Sequence, residues 1–460
     1  MNTHSWVRSF AFFVVTSLYM TLLCHAENPI VQTNFTADPA PMVYRGTVYL
    51  YTSHDEDDAT HFNMLDWKLY TSTDMVNWTD RGTVASLATF PWAVQTNNAW
   101  APQAIERNGK FYLYVPISVP DQPDRVIAVA VADSPSGPFK DALGGALIPK
   151  AVGNIDPTVF IDDDGQAYLY WGNPNLRYVK LNRDMISYSG DIVNVDSKPQ
   201  NYQEGPWFYK RNGKYYMAYA SHCCPEGIGY AMSNNPTGPW EYKGMIMEPD
   251  ARSSGNHPGI IDYQGNSYVF GFNYALNFAL TNTHRERRSV CVAKFAYNPD
   301  GTISTILWWS HEGVQQFGTL NPFRRTEAAT IAWESGTRTG AWTPGVKTAK
   351  DNKAGVYVTR ITNGSYIKVR GVDFGDHAAS RFSASVASGS SGGIIELHLD
   401  SVDGPAIGSL PISNTGGWNK WQTKTTTVSG AAGTRDLYFV FKGDTPGQLF
   451  NFAYWRFDKT

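Results

Sequence analysis

Asn154-Ile155-Asp156-Pro157-Thr158-Val159-Phe160-Ile161-Asp162-Asp163-Asp164-Gly165-Gln166-Ala167-Tyr168-Leu169-Tyr170-Trp171-Gly172 reads as two short strands joined by an Asp-Gly turn, the strongest short hairpin signal. The arrangement recurs four times. Asp38-Pro39-Ala40-Pro41-Met42-Val43-Tyr44 turns at Arg45-Gly46, and Ala101-Pro102-Gln103-Ala104-Ile105-Glu106 turns at Asn108-Gly109. Glu204-Gly205-Pro206-Trp207-Phe208-Tyr209 turns at Asn212-Gly213, and His257-Pro258-Gly259-Ile260-Ile261-Asp262 turns at Gln264-Gly265. The copies lie about 50–60 residues apart, the length of a four-stranded propeller blade.

A second motif falls between them, at Asp74–Trp78, Ser134–Phe139 and Asn234–Trp240, and reads as an outer hairpin. The expected fold is all-β: a five-bladed β-propeller followed by a β-sandwich. In a propeller the innermost strands line one funnel. Equivalent positions hold Asp38, Ala101 (preceded by Trp100), Asp156, Glu204 and His257. Three carboxylates therefore converge on one axis, and buried like charges are costly unless they serve a function.

Composition narrows the classes. Lys and Arg number 38 against 41 Asp and Glu, so no basic footprint for nucleic acid exists. Aromatics make up 14% of the chain, which suits strand cores and also sugar binding through flat faces. Met1 to Ala26 has the pattern of a secretory signal: Arg8, then an apolar run from Phe10 to Leu23 that is short for a span, then Cys24-His25-Ala26. A secreted, extracellular chain beginning near Glu27 is expected, with no membrane span. Cys223, Cys224 and Cys291 then remain; Cys223 bridges to Cys224, or one of them to Cys291. The sequons at Asn34, Asn77 and Asn363 suggest surface positions and a glycoprotein.

Residues 27–316 carry the repeats. His54-Asp55-Glu56-Asp57-Asp58 reads as a solvated acidic loop or a cation site, and Trp100 as a sugar-stacking platform or core. His222-Cys223-Cys224-Pro225-Glu226 is placed at the funnel rim. Alternation allows only one of Arg287 and Arg288 to point inward, where it would pair with the funnel carboxylates. His311 to Arg325 reads as a linker. Residues 323–460 show the short alternating strands of a sandwich, with Trp418 and Trp421 as exposed-aromatic candidates.

Asp38, Asp156 and Glu204 can supply the acid, the base and a third carboxyl that raises the acid's pKa in glycoside hydrolysis. Set on different blades, acid and base leave room for a water, which predicts inversion. Ala37-Asp38-Pro39-Ala40-Pro41, Trp100-Ala101-Pro102-Gln103, Ile155-Asp156-Pro157-Thr158 and Glu204-Gly205-Pro206 resemble glycoside hydrolase family 43. Tyr51-Thr52-Ser53-His54-Asp55 and Asp74–Trp78 are similar to its arabinoxylan arabinofuranohydrolases. The resemblance implies Asp38 as general base, Asp156 as pKa modulator and orienter, and Glu204 as general acid. It also implies His257 near a calcium ion or water on the axis, and an Arg of the Arg287-Arg288 pair on the sugar.

The tail resembles a family 6 carbohydrate-binding module through Gly364–Val369, Gly417–Gln422 and Asn451–Phe457. That likeness implies a jelly-roll, Trp418 and Asn451 in a sugar cleft, and Glu327 and Asp458 near a structural calcium. Where such modules have Glu-Ala-Glu, this chain has Glu327-Ala328-Ala329, one carboxylate fewer. No organic cofactor is implied. The expected partner is plant cell-wall arabinoxylan or xylan, met by a monomer that releases α-L-arabinofuranosyl groups. A β-xylosidase and a catalytically silent carbohydrate-binding propeller are the alternatives.

Overall fold

The computed structural model describes residues 25–120, 124–251, 253–335, 345–376 and 378–459. Most of the secretory pattern, Cys24 included, lies outside them. No helix of the described residues is long and apolar enough to cross a membrane.

The first part of the chain forms successive antiparallel meanders. Phe35–Tyr44, Thr47–Asp55, Met64–Ser72 and Trp78–Ser86 make the first sheet, and the second runs from Gln103–Arg107 through Lys110–Ser118 to Arg125–Ala132 and Ile148–Ala151. Thr158–Ile161 opens the third, Tyr202–Arg211 the fourth and Gly259–Tyr263 the fifth. The opening strands pack in a ring, closed between the fourth and fifth sheets where Trp207 Nε1 donates to the Ile260 carbonyl at 2.9 Å.

The hairpin turns follow from their residues. Arg45-Gly46, Asn108-Gly109, Asn212-Gly213 and Gln264-Gly265 all have both φ positive, the two-residue turn whose twist matches paired strands. The third sheet differs from expectation. Ile161 pairs with Ala167, so its turn is wider, and the Asp162 and Asp164 side chains accept the Asp163 and Gln166 amides at 2.8 Å. A run of aspartates satisfies its own backbone and needs no tight turn.

Most large aromatics are core, Trp67, Trp171, Tyr114 and Tyr219 among them. Two sequons are not where they were expected. Asn34 and Asn77 are buried; Asn34 Nδ2 donates to the Tyr70 hydroxyl at 3.0 Å, and Asn77 Nδ2 to Asp74 at 2.7 Å and to the Arg370 carbonyl at 2.9 Å. Asn363 alone of the three is exposed.

The C-terminal part consists of two antiparallel sheets enclosing their own core, which includes Phe382, Phe439, Phe452 and Trp455. The seam between the parts is extensive. Thr330–Ile331 joins the first sheet as an extra strand beside Trp78–Ser86. Glu27 pairs with Lys368 and Arg370, and Lys347 with Asp57 at 2.5 Å. The stretch read as a linker is also held, by Phe317 N on the Asp74 carbonyl and Leu320 N on the Gly371 carbonyl, both at 2.9 Å.

Candidate active site

The carboxyls sit where strands depart from regular pairing. Asp38 lies in a register shift of the first strand, and Glu204 in one of the fourth sheet's opening strand. Such bulges re-aim side chains. Asp38 and Asp156 both precede proline yet have φ of 50° and 58°, a conformation that non-glycine residues adopt rarely outside turns and that recurs at functional sites. Gly205, at φ 57°, has no side chain because His257 fills the space: a Cβ there would lie 3.0 Å from the His257 ring.

Asp38, Asp156, Glu204, His257 and Arg288 line one cavity of about 370 Å³, together with Phe62, Trp100, Arg125 and Asn173. Arg288 Nη1 donates to Asp38 Oδ1 at 2.9 Å, while its Nε and Nη2 clasp both oxygens of Asp55 at 3.0 and 2.8 Å. Burial works against this guanidinium's charge, but Asp38 and Asp55 outweigh it and hold the proton firmly. Ser53 Oγ donates to Asp38 Oδ2, and Gly205 N to Asp156 Oδ2 at 3.0 Å.

Burial pushes the Asp156 carboxyl well up, and the negative Glu204 and Asp38 push it further. Glu204 is raised too, by burial first and against the pull of a hydrogen bond from Asn173. Burial lowers the His257 pKa, favouring the neutral ring, whose Nδ1 stands 3.8 Å from Asp38. A fourth acid, Glu226, is buried, accepts the Asn256 amide at 3.3 Å, and is pushed up to about 9 by burial and then by Glu204. A carboxyl so raised holds its proton well past the ordinary carboxylate range.

Of the arginine pair, Arg288 lines the cavity; the Arg287 guanidinium lies 5.8 Å from the centre of the Phe35 ring and is absent from the cavity wall. The loop His54–Asp58 is not simply solvated. Asp55 is fully buried on Arg288, Asp57 takes Lys347, and His54 Nδ1 meets Asp66 at 2.8 Å. Cys223 bonds Cys224 in an exposed pair, leaving Cys291 free and buried.

The residues expected near calcium each have protein partners of their own. His257 shares Asp38 with Arg288 and belongs to no cluster of three His, Cys or carboxylate donors among the described residues. Glu327 is engaged by Arg325 at 3.1 Å and Asp458 by Arg456 at 3.1 Å, and neither belongs to a cluster of three His, Cys or carboxylate donors among the described residues. Calcium requires six to eight oxygens. In the same domain Trp418 is exposed, and its carbonyl accepts Asn451 Nδ2 at 2.7 Å. Asn451 itself is buried and tied also to Gln448, so it braces the Trp418 loop.

Sequence reasoning missed Arg125 and Asn173, and named Ser53 and Glu226 only within longer stretches, without a role of their own. Asn173 had a signal, since it directly follows the hairpin that carries Asp156.

A pocket that sets a guanidinium-bound carboxylate among carboxyls of raised pKa is built for acid–base cleavage. The chain belongs to glycosyl hydrolases family 43, whose family model matches residues 26–303. A carbohydrate binding module of family 6 matches residues 330–459. The arabinoxylan arabinofuranohydrolase of Bacillus subtilis (strain 168) is 34% identical, over 94% of this chain and 92% of its own. A solved family 43 arabinoxylan arabinofuranohydrolase from Bacillus subtilis, in complex with cellotetraose, superposes with a TM-score of 0.81 at 33% identity, covering 94% of this chain and 97% of that one. A β-xylosidase/α-arabinofuranosidase from a compost metagenome, solved with xylotriose in a calcium-free form, matches 62% of this chain and 98% of its own at 30% identity and a TM-score of 0.56.

Proposed function

We propose that the protein is a secreted, inverting, exo-acting α-L-arabinofuranosidase that removes side chains from arabinoxylan. The supporting observation is the asymmetry within one cavity: Asp38 lies against the Arg288 cation, while Glu204 is pushed up by burial. Opposed environments of this kind separate a base from an acid. Asp38 acts as general base on a water and Glu204 as general acid on the leaving oxygen. Asp156 orients the sugar and modulates the acid through its charge contact with Glu204. Asn173, donating to Glu204, fixes the direction of the acid.

The successive meanders are the blades of a five-bladed β-propeller over residues 27–316. Residues 323–460 form a jelly-roll module that holds the enzyme, a monomer, on its polymer through the exposed Trp418. Tethering of this kind acts through effective concentration. Residues 1–26 direct export.

Proton NMR of the purified protein with arabinoxylan, and separately with xylobiose, tests the reading. Early β-L-arabinofuranose from arabinoxylan, before mutarotation, is the expected result. Early α-anomer would refute inversion. Xylose from xylobiose without arabinose would replace the substrate assignment with a β-xylosidase, the other activity named for the compost relative.

A further inference from the structure

We propose that Arg125, laid against Trp100, forms the wall that receives the sugar on the leaving-group side of the scissile bond, and so sets specificity for the polymer. The inference rests on the glycosidase reading above. Depth in the cavity orders its residues. Asp38, Asp156 and Arg288 are 5–6% exposed and form the floor, whereas Phe62 is 39% exposed and marks the mouth. Trp100 and Arg125 are half-buried and stand between. A terminal sugar seated against the floor carboxyls sends the rest of its chain past these two residues.

The wall has an unusual chemistry. The Arg125 guanidinium carbon lies 3.7 Å from the centre of the Trp100 ring, and Phe62 meets the same ring edge-on at 6.0 Å. One face of Trp100 is thus taken by Arg125, so the guanidinium shares the role given to the indole as a stacking platform. Arg125 Nε and Trp100 Nε1 are both buried and meet no hydrogen-bond acceptor among the described residues. Two adjacent orphan N–H donors are costly in the free protein. Sugar hydroxyls and ring oxygens are acceptors suited to a guanidinium on this wall, whose planar fork selects their direction in a way that an ammonium does not, and a shift of the half-buried Arg125 side chain on binding would open the buried donors to them.

The test compares Arg125→Ala and Arg125→Lys with wild type on two substrates with the same glycone: an arabinoxylan oligosaccharide and an aryl α-L-arabinofuranoside whose leaving group carries no hydroxyls. Wild-type cleavage of both comes first. Its failure sinks the substrate reading, and the same comparison then moves to xylobiose against an aryl β-xyloside. The proposal expects KM for the oligosaccharide to rise about tenfold, kcat to fall less, and the ratio of kcat/KM between oligosaccharide and aryl glycoside to drop about tenfold. The Lys variant, which keeps the stem and charge and serves where thermal unfolding shows the Ala variant misfolded, should share the defect. Equal losses on both substrates would overturn the proposal, placing Arg125 against the terminal sugar or in the scaffold. An unchanged ratio, or full rescue by Lys, would overturn it as well.

Discussion

Arg288 bridges two acids of opposite purpose: Asp38 in the cavity at 2.9 Å and the fully buried Asp55 behind it at 2.8 Å. One guanidinium thus holds the proposed base and neutralises a carboxylate that never meets solvent.

Removing that cation should therefore cost stability as well as activity. Arg288→Ala leaves Asp55 buried and unpaired, a loss of about 3–5 kcal/mol. Urea unfolding measures it. A midpoint within error of wild type would show that Asp55 finds another partner or takes up a proton.

Asp38→Asn and Glu204→Gln should each lower kcat by about 10²–10⁴-fold while retention on insoluble arabinoxylan is unchanged, because the family 6 module proposed to hold the polymer is untouched. The Glu204→Gln defect should shrink on an aryl glycoside with a good leaving group, which needs little protonation. Equal defects on good and poor leaving groups would contradict the acid assignment.

Glu226 makes stability depend on pH. Its carboxyl is raised from the ordinary 4.5 to about 9, so the folded chain holds a proton that the unfolded chain releases. Its contribution is fully present below pH 4.5 and is lost as pH rises toward 9. Glu226→Gln should thus gain on wild type in thermal midpoint as pH is raised from 5 to about 8.5. A constant difference across that range would mean that Glu226 titrates alike in both states.

Expressed in a host that glycosylates, the protein should carry glycan at Asn363 only, read by peptide mass spectrometry. Asn34 and Asn77 donate through the very nitrogens a glycan would occupy. Occupancy at either would require the first sheet to open. Asn77→Ala should destabilise by about 1–3 kcal/mol, since Asp74 and the Arg370 carbonyl lose a buried donor.

The repeat made the catalytic positions readable because backbone geometry carries them. Asp-Pro and Glu-Gly-Pro lie at or near the start of the opening strand of their sheets, and the turns that follow have a residue signature. Other features had no such carrier. The choice between Arg287 and Arg288 depended on where the strand begins, and it starts only at Ser289. Arg125 meets Trp100 across a sheet, a pairing that no local pattern encodes. Glu226 follows an exposed disulfide pair, so its burial is hidden behind a stretch that looks solvated. A sequon describes three residues and says nothing of packing, which is how Asn34 and Asn77 misled.

The strand Thr330–Ile331 completes the first sheet with residues from the sandwich side of the chain. A grip joined by a loose cord would let the cutting end wander over whatever lies within reach. Here the module proposed as the grip shares a hydrogen-bonded sheet with the domain proposed as the cutter, so landing on a fibre should also decide which way the active site points and how far along the fibre it falls. Under the proposed reading the pair behaves as a caliper, and side chains at the wrong spacing should be passed over even when their chemistry is right.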